Sequence, residues 1–331
     1  MSLAVGVKSD RRTVRPSTLF LAVASAAAFG TSGPFVKPLL EAGWSPASAV
    51  AVRAGFGALV LLVPALIALR GRFLMFLSRW RLIVTYGIVA VAGSQVFYFA
   101  AIERLPVGVA LLIEFTAPIL LVLLAWARTR KAPPGLTILG AVLSIGGLVL
   151  VVKPSGVGGL DLLGVMFALT AAVCVAGYFL ISARPTGELP PVVLICSALF
   201  IGALALLVIG GIGLVPFSFS SAPVVLLGTE GVWWIVPMGV VVVVATAFAY
   251  LAGILSAAKL GSRLASFVGL LEVLFAILFA WWLLGEVPTL LQVVGGAFIV
   301  AGIVLVKMER AGAAQMVKAA PDGTALFDNV R

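Results

Sequence analysis

The chain contains no histidine and only two cysteines, Cys174 and Cys196, both of which lie inside apolar runs. These numbers argue against a zinc site of cysteine and histidine and against a disulfide framework. Charged residues are also scarce, at 10% of 331 residues, whereas hydrophobic residues make up 63%. A soluble protein of this length could not cover its surface with so few polar side chains. The composition therefore indicates a membrane protein.

The sequence is rich in apolar runs of about 20 residues, the length that a helix needs to cross the hydrocarbon core of a bilayer. The stretch 211–232 holds only a short apolar piece, which we expect to lie at the membrane interface. The fold class predicted is an all-α integral membrane protein with ten transmembrane helices. We place them at 18–40, 47–69, 81–101, 106–127, 135–152, 161–183, 190–210, 233–257, 263–284 and 289–306.

The basic residues predict the orientation of these helices. With the N-terminus inside, 18 of the 22 Lys and Arg residues lie in inner segments and 3 in outer segments. The positive-inside rule then places both termini in the cytoplasm, in a bacterial inner membrane. The net charge of +10 reflects this topology and anionic lipid headgroups, so nucleic acid is not an expected partner. Arg11 and Arg12 leave a twin-arginine export signal as the alternative to an uncleaved first helix.

The chain also contains an internal repeat with an offset of 155 residues. "ERLPVGVA" at 103–110 aligns with "AKLGSRLA" at 258–265, Gly140 with Gly295, and Gly147 with Gly302. Each copy holds five helices, an odd number, so the second copy must cross the membrane in the opposite sense. The prediction is two inverted five-helix repeats, 18–152 and 161–306, between tails at 1–17 and 307–331.

Inverted repeats of this kind place a transport pathway near the membrane midplane, between the two halves. A gene duplication without a transport role is the alternative. The last part of the chain, 311–331, is short and of mixed composition, and we expect it to be disordered.

Two carboxyl groups, Glu114 and Glu272, are the only ones well inside the predicted helices. A charge at the membrane centre costs at least about 2.5 kcal/mol, so both side chains should face protein or a water-filled cavity. Either acid could carry a proton or bind a substrate amino group. Pro118 removes the hydrogen bond that the Glu114 carbonyl would otherwise accept, which predicts a polar break. The alternative is a kink with a protonated Glu114 bonded to a neighbouring helix.

Further candidates for binding a substrate are polar or aromatic residues within the apolar runs. "FGTSGPFVKP" at 29–38 contains two hydroxyls and Pro34, which predicts a broken helix lining a cavity or, alternatively, close packing of small residues. Arg53 lies inside the second helix, where we favour a structural charge. The remaining candidates share a hydroxyl or amide group and are Thr31, Ser32, Gln95, Tyr98, Thr116, Tyr178 and Tyr250.

These features resemble those of a known family. The ten helices, the duplication and "LLEVLFAILFAWWLLGEVPT" at 270–289 resemble the EamA-type carriers of the drug/metabolite transporter superfamily. Glu272 and the pair Gly285–Glu286 match the family pattern, whereas Val273 replaces its usual proline. "LPVGVALLIEFTAP" at 105–118 resembles more narrowly the threonine/homoserine exporter branch. The resemblance spans about residues 18–306.

The resemblance implies a secondary active transporter that exports small metabolites such as amino acids, and not an enzyme. Coupling to protons is a hypothesis based on the two acids. A drug or toxin exporter is the alternative within this class, and a membrane sensor or scaffold is the alternative outside it. No P-loop is present, which excludes an ATP-driven pump within this chain, and no cofactor is expected. The expected partners are a small-molecule substrate and membrane lipids, and a homodimer is left open.

Overall fold

The computed structural model describes residues 16–71, 73–102, 104–105, 107–152, 161–184, 189–226, 228–285 and 287–319. Its regular structure is almost entirely helical, which confirms the predicted fold class. Two of the helical segments are π-helical and are labelled π1 and π2. The first half contains α1 (Pro16–Gly30), α2 (Ser32–Glu41), α3 (Pro46–Leu69), α4 (Phe73–Ser78), α5 (Trp80–Thr85), π1 (Tyr86–Gly93), α6 (Ser94–Ile102), α7 (Val107–Glu114), α8 (Ala117–Thr129) and α9 (Gly135–Val152).

The described part of the second half contains one short antiparallel hairpin, β1–β2. Its elements are α10 (Leu162–Ser182), α11 (Pro191–Gly211), β1 (Val224–Leu226), β2 (Thr229–Val232), α12 (Ile235–Val242), π2 (Val243–Phe248), α13 (Ala249–Leu260), α14 (Ser262–Gly269), α15 (Leu271–Leu284) and α16 (Leu290–Ala319).

Within the described residues, ten helical segments are long and apolar enough to cross a membrane, as predicted. They are called spans 1 to 10. Their bounds are Pro16–Glu41, Pro46–Leu69, Trp80–Ala101, Val109–Thr129, Gly135–Val152, Leu162–Ser182, Pro191–Gly211, Ile235–Leu260, Ser262–Leu283 and Leu290–Glu309.

Local sequence signals explain where some spans begin. Span 2 starts after Ser45, whose hydroxyl accepts a hydrogen bond from the Ser48 amide at 3.2 Å, and Pro46 occupies the first helical position. Span 6 starts after Asp161, whose carboxylate accepts a bond from the Gly164 amide at 2.8 Å. Both residues satisfy amide groups that a helix N-terminus leaves without a partner.

The two halves pack against each other through reciprocal contacts between equivalent spans. The first span of each half lies against the third and fourth spans of the other half, so span 1 packs on spans 8 and 9 while span 6 packs on spans 3 and 4. Span 2 packs on span 7, and span 5 packs on span 10. The equivalent spans of both halves therefore occupy equivalent positions.

Close contact between spans 5 and 10 shows that the halves are inverted. A Cβ on Gly140 would lie 2.7 Å from the Gly302 carbonyl oxygen, and Gly147 faces Gly295 in the same way. Residue numbers rise along one helix as they fall along the other, so these equivalent spans are antiparallel. The offset of 155 residues maps each contact onto the other, as a twofold axis between inverted copies requires.

The segment after span 7 is tied to the loop between spans 1 and 2. The Ser45 amide donates to the Ser218 carbonyl at 2.8 Å, and Trp44 Nε1 donates to the Ser220 carbonyl at 2.7 Å. Trp44 is only 5% exposed and its ring contacts that of Trp234 at 5.3 Å, whereas Trp80 and Trp282 are exposed. The hairpin was not predicted, and the interfacial position of 211–232 stays a prediction.

Two further elements depart from the sequence analysis. A short helix, α4, lies between spans 2 and 3 and exposes 84% of Leu74, beside Arg79. The prediction of a disordered 311–331 is wrong for 311–319, where α16 continues to Ala319. That stretch, "AGAAQMVKA", consists mainly of strong helix formers and contains no proline. Residues 1–15 and 320–331, which hold most of the predicted tails, lie outside the described residues.

Candidate functional site

Span 4 is interrupted directly after Glu114. Helix α7 ends at Glu114 and α8 begins three residues later, after a turn. Pro118 accounts for the break because it lacks the amide hydrogen that the Glu114 carbonyl would accept in a continuous helix. The chain turns more tightly instead, and the Thr116 amide donates to the Ile113 carbonyl at 3.0 Å. Glu114 therefore lies at a helix end inside the span, with 9% of its surface exposed.

Span 9 is broken at the equivalent place. Helix α14 ends at Gly269 and α15 begins at Leu271, and the offset of 155 residues maps this break onto the one in span 4 within one residue. The Leu270 amide donates to the Phe267 carbonyl at 3.1 Å. The break places Glu272 in the first turn of α15.

The break in span 9 forms without the proline that the family pattern contains, since Val273 stands at the position of Pro118. Gly269 lies directly before the break, and a Cβ there would approach within 2.8 Å of Phe179 Cζ in span 6. The Phe179 ring thus packs against the bare backbone where the helix is interrupted. Val273 raised the question of whether span 9 is distorted at all, and the structure shows that it is.

Span 1 is broken between Gly30 and Ser32, as the proline and the small residues of this stretch predict. The Thr31 hydroxyl donates to the Ala28 carbonyl at 2.7 Å, within its own helix. A Cβ on Gly30 would lie 2.9 Å from the Glu272 carbonyl oxygen, so the backbone of span 1 touches span 9 at the acid. The breaks of spans 1 and 9 therefore lie side by side.

The two acids come from opposite halves and interact with one another. Glu114 and Glu272 are close enough to interact electrostatically, and Glu114 interacts in the same way with Tyr98 and Cys174. Tyr178 interacts with Glu272. Among the described residues, no side chain forms a hydrogen bond with either carboxyl group. Four of these residues were predicted as candidates, whereas Cys174 was not.

Arg53 belongs to the same region. Its Nη1 donates a hydrogen bond of 2.8 Å to the Ser32 hydroxyl, at the start of α2. Arg53 also interacts electrostatically with Glu272 and with Tyr250. Tyr250 also interacts electrostatically with Glu114. It therefore interacts with all three charged side chains of this region, Arg53, Glu272 and Glu114. This convergence of spans 2, 4, 8 and 9 could not be read from the sequence.

A row of aromatic rings lies beside the charges. Phe29 contacts Tyr250 edge to face at 5.0 Å, Tyr250 contacts Tyr178 at 5.9 Å, and Tyr178 contacts Tyr86 at 5.9 Å. The row ends where the Tyr86 hydroxyl is 2.9 Å from the Ser182 hydroxyl, and both residues are fully buried. The rings come from spans 1, 8, 6 and 3, so the row crosses between the halves.

Spans 3 and 8 share a feature that the sequence analysis missed. Each contains a π-helical segment, π1 and π2, at nearly equivalent positions of the repeat. Such segments recur at functional sites. Here π1 precedes Gln95 and Tyr98, and π2 precedes Tyr250. We find no signal in the hydropathy pattern that would have identified either segment.

The structure brings most of the predicted candidates together. One group, linked by electrostatic interactions, by the hydrogen bond of Arg53 to Ser32 and by the ring contact of Tyr178 with Tyr250, consists of Glu114, Glu272, Tyr98, Tyr178, Tyr250, Ser32 and Arg53. Thr31 and Thr116 lie at the helix breaks, and their hydroxyls bond carbonyls of their own helices. Pro118 is buried, and Gln95 is half-buried without a hydrogen bond to another described residue. The described residues contain no group of metal-ligating side chains.

Known proteins share both the fold and the sequence of this chain. The threonine/homoserine exporter RhtA of Escherichia coli (strain K12) is 28% identical over 236 residues, which cover 70% of this chain and 72% of RhtA. An uncharacterized transporter of Clostridium kluyveri is 27% identical over 224 residues, or 66% and 69% of the two chains. A crystal structure with 19% identity shares the fold, with a TM-score of 0.71 over 91% of this chain and 99% of the other.

The model of the EamA-like transporter family matches this chain twice, at residues 16–153 and 162–308. The two matches cover nearly all of the described residues and correspond to the two inverted halves. This chain belongs to the EamA-like transporter family and is a multi-pass membrane transporter.

Proposed function

We propose that this transporter exports small amino acids or related amphipathic compounds and exchanges them for protons. Both termini lie in the cytoplasm in this proposal, because the basic residues are concentrated on that side. The name of the relative RhtA supports amino acids as the substrate class. The repeat boundaries are those of the sequence analysis, 18–152 and 161–306.

One observation carries the proposal: two carboxyl groups from opposite halves, the buried Glu114 and the half-buried Glu272, are close enough to interact electrostatically, and neither accepts a hydrogen bond from a side chain of the described residues. Two neighbouring carboxylates repel, so a proton on one of them stabilises the empty site. An ammonium group that enters the site provides the same neutralisation. Proton and substrate therefore compete for one place, which is the requirement for exchange.

The inverted halves supply the second requirement, access from either side in turn. Equivalent helices pack in equivalent ways, so the arrangement that opens the site to one face has a mirror arrangement that opens it to the other. The broken helices of spans 1, 4 and 9 leave backbone groups at the site that can bind a polar substrate. The substrate leaves on the outside, and the proton that replaces it is released in the cytoplasm.

The experiment uses purified protein in proteoliposomes with an imposed pH gradient and radiolabelled threonine. We expect the wild-type protein to accumulate threonine against its gradient, and the double variant Glu114→Gln/Glu272→Gln to allow only equilibration. Glu230 lies in the exposed hairpin, so Glu230→Gln is the control for a change of carboxyl to amide elsewhere. If gradient-driven accumulation survives in the double variant, proton coupling through these acids is wrong.

A second candidate function, export of drugs or toxic compounds, is favoured by the aromatic row beside the charges. The half-buried rings of this row, Phe29 and Tyr178, offer an apolar surface for a planar substrate. A resistance screen of an overexpressing strain against cationic aromatic compounds tests this candidate. Broad resistance that Tyr178→Leu abolishes would favour it, whereas unchanged resistance together with threonine accumulation favours the amino acid.

A further inference from the structure

Arg53 lies deep in its span. It is seven residues from Pro46 at the start of span 2, which corresponds to about 10 Å along the helix axis. Its side chain is half-buried and turns toward span 1, where it donates to Ser32. A charge at this depth is costly unless a partner neutralises it. The question is therefore what neutralises Arg53.

No carboxylate of the described residues forms an ion pair with Arg53. Glu272 interacts with it electrostatically but lies beyond ion-pair distance. A guanidinium has five N–H donors in a planar fork, and the bond to Ser32 uses one of them. Arg53 also interacts electrostatically with Glu272 and Tyr250. A purely structural role, which the sequence favoured, would leave this fork largely unused.

Tyr250 interacts electrostatically with charged groups of both signs. The Tyr250 hydroxyl interacts with Arg53, with Glu272 and with Glu114. Glu114 interacts with Tyr98 and Glu272. The site therefore has one positive end, at Arg53 and Ser32, and one negative end, at Glu114. A substrate with both an anionic and a cationic group matches that arrangement.

We propose that Arg53, oriented by Ser32, binds the carboxylate of the transported molecule while Glu114 faces its ammonium group. The substrate class is then a zwitterion such as an α-amino acid, and not a simple amine or an organic cation. Guanidinium and carboxylate have matching planar geometry and can form two parallel hydrogen bonds, which a lysine could not reproduce. This inference rests on the proposed function, since it takes the region around Glu114 as the substrate site.

The test compares threonine with 1-aminopropan-2-ol, which is threonine without its carboxylate. Stabilisation against thermal unfolding in detergent measures binding without requiring transport. We expect wild-type protein to bind threonine more than about tenfold tighter than the amine, as a charged hydrogen bond predicts. Arg53→Gln should remove that preference, Arg53→Lys should keep only part of it, and Ser32→Ala should weaken it.

Ser197→Ala is the matched control, because the Ser197 hydroxyl bonds a carbonyl of its own helix in span 7 and does not touch the site. Size-exclusion profiles and unfolding temperatures without ligand show whether each variant is folded, and Arg53→Lys remains informative if Arg53→Gln is not. A folded Arg53 variant that still prefers threonine by the wild-type factor overturns the role of Arg53 and leaves the proposed function intact. Wild-type protein that binds the amine as well as threonine also overturns it. If wild-type protein binds neither compound, the proposed amino-acid substrate fails as well.

Discussion

The two halves of this transporter share their architecture and differ in their chemistry. Both contain a π-helical segment in the third span, a broken fourth span and a pair of glycines in the fifth. In the first half, however, the break lies between the acid, Glu114, and Pro118. In the second half the acid follows a break without proline, and Arg53 and the backbone of Gly30 lie beside it.

The comparison indicates that the two copies kept the same backbone arrangement, whereas the side chains at equivalent positions diverged. Packing requirements act equally on both copies, because each contact across the pseudo-twofold axis has an equivalent. One substrate site needs only one set of charges, so Glu114 and Glu272 were free to differ in position and partner. We infer unequal roles for the two acids, with Glu114 exchanging the proton and Glu272 holding Arg53 in place.

The largest effect is expected from Glu114→Gln. The amide keeps the shape of the side chain and cannot take up a proton, so gradient-driven transport should fall by more than about tenfold, or about 1.4 kcal/mol of coupling. Exchange of labelled for unlabelled threonine without a gradient should be less affected. Proteoliposome assays of both reactions provide the measurement. Equal losses in the two assays would contradict a specific role in coupling.

Glu272→Gln should have a smaller effect, roughly threefold or about 0.6 kcal/mol, because we assign the exchange of the proton to Glu114. Its main effect should be on threonine affinity, since Arg53 loses a neighbour that orients it. The same pair of assays distinguishes the acids. The roles assigned to the two acids are wrong if Glu272→Gln abolishes proton coupling and Glu114→Gln does not.

The two acids should have unequal effects, whereas the shared architecture predicts equal effects of substitutions at equivalent glycines. Gly147→Ala and Gly302→Ala should each lower the free energy of unfolding by about 1–3 kcal/mol, because the new methyl group meets backbone atoms that cannot move aside. Gly146, which has no neighbour within 4 Å, is the control, and Gly146→Ala should not destabilise. Thermal unfolding in detergent measures all three. A large effect at only one of the equivalent positions would contradict the twofold contact.

The smallest effect concerns the start of span 6. Asp161 lies just outside the span, and the hydrogen bond from the Gly164 amide, together with the neighbouring Arg104, lowers the pKa of its carboxyl group. A lowered pKa stabilises the folded protein above the normal range of aspartate, and this contribution is lost as the pH falls through the lowered value. Asp161→Ala should therefore reduce the unfolding temperature slightly at pH 7 and not at low pH. Asp161→Asn retains a capping oxygen and should fall between the two.

Hydropathy and the repeat alone predicted ten spans and two inverted halves. The length of each apolar run and the odd number of helices in each repeat can both be read directly from the sequence. The break after Glu114 was predictable as well, since proline acts within its own helix. The break in span 9 forms without a proline, and Phe179 of another span packs against Gly269 beside it. A tertiary contact of this kind leaves no local signal.

The same reason applies to the site. Sequence indicated Glu114 and Glu272 because carboxyl groups are rare in apolar runs, and it indicated Tyr178 and Tyr250 only as members of a longer set. The contact between Arg53 and Ser32 joins residues of two different spans, and the convergence on Tyr250 joins four. The π-helical segments and α4 were missed because neither changes the hydropathy pattern.

The glycine contact between spans 5 and 10 has a consequence for the ancestry of the protein. Gly140 contacts Gly302, the counterpart of Gly147, and Gly147 contacts Gly295, the counterpart of Gly140. Each half therefore carries both surfaces of this joint between spans 5 and 10. A self-complementary surface of this type is what two identical subunits need in order to dimerise. A five-helix chain inserted in both orientations would already possess this joint, and fusion of two such genes would only have made the pairing permanent.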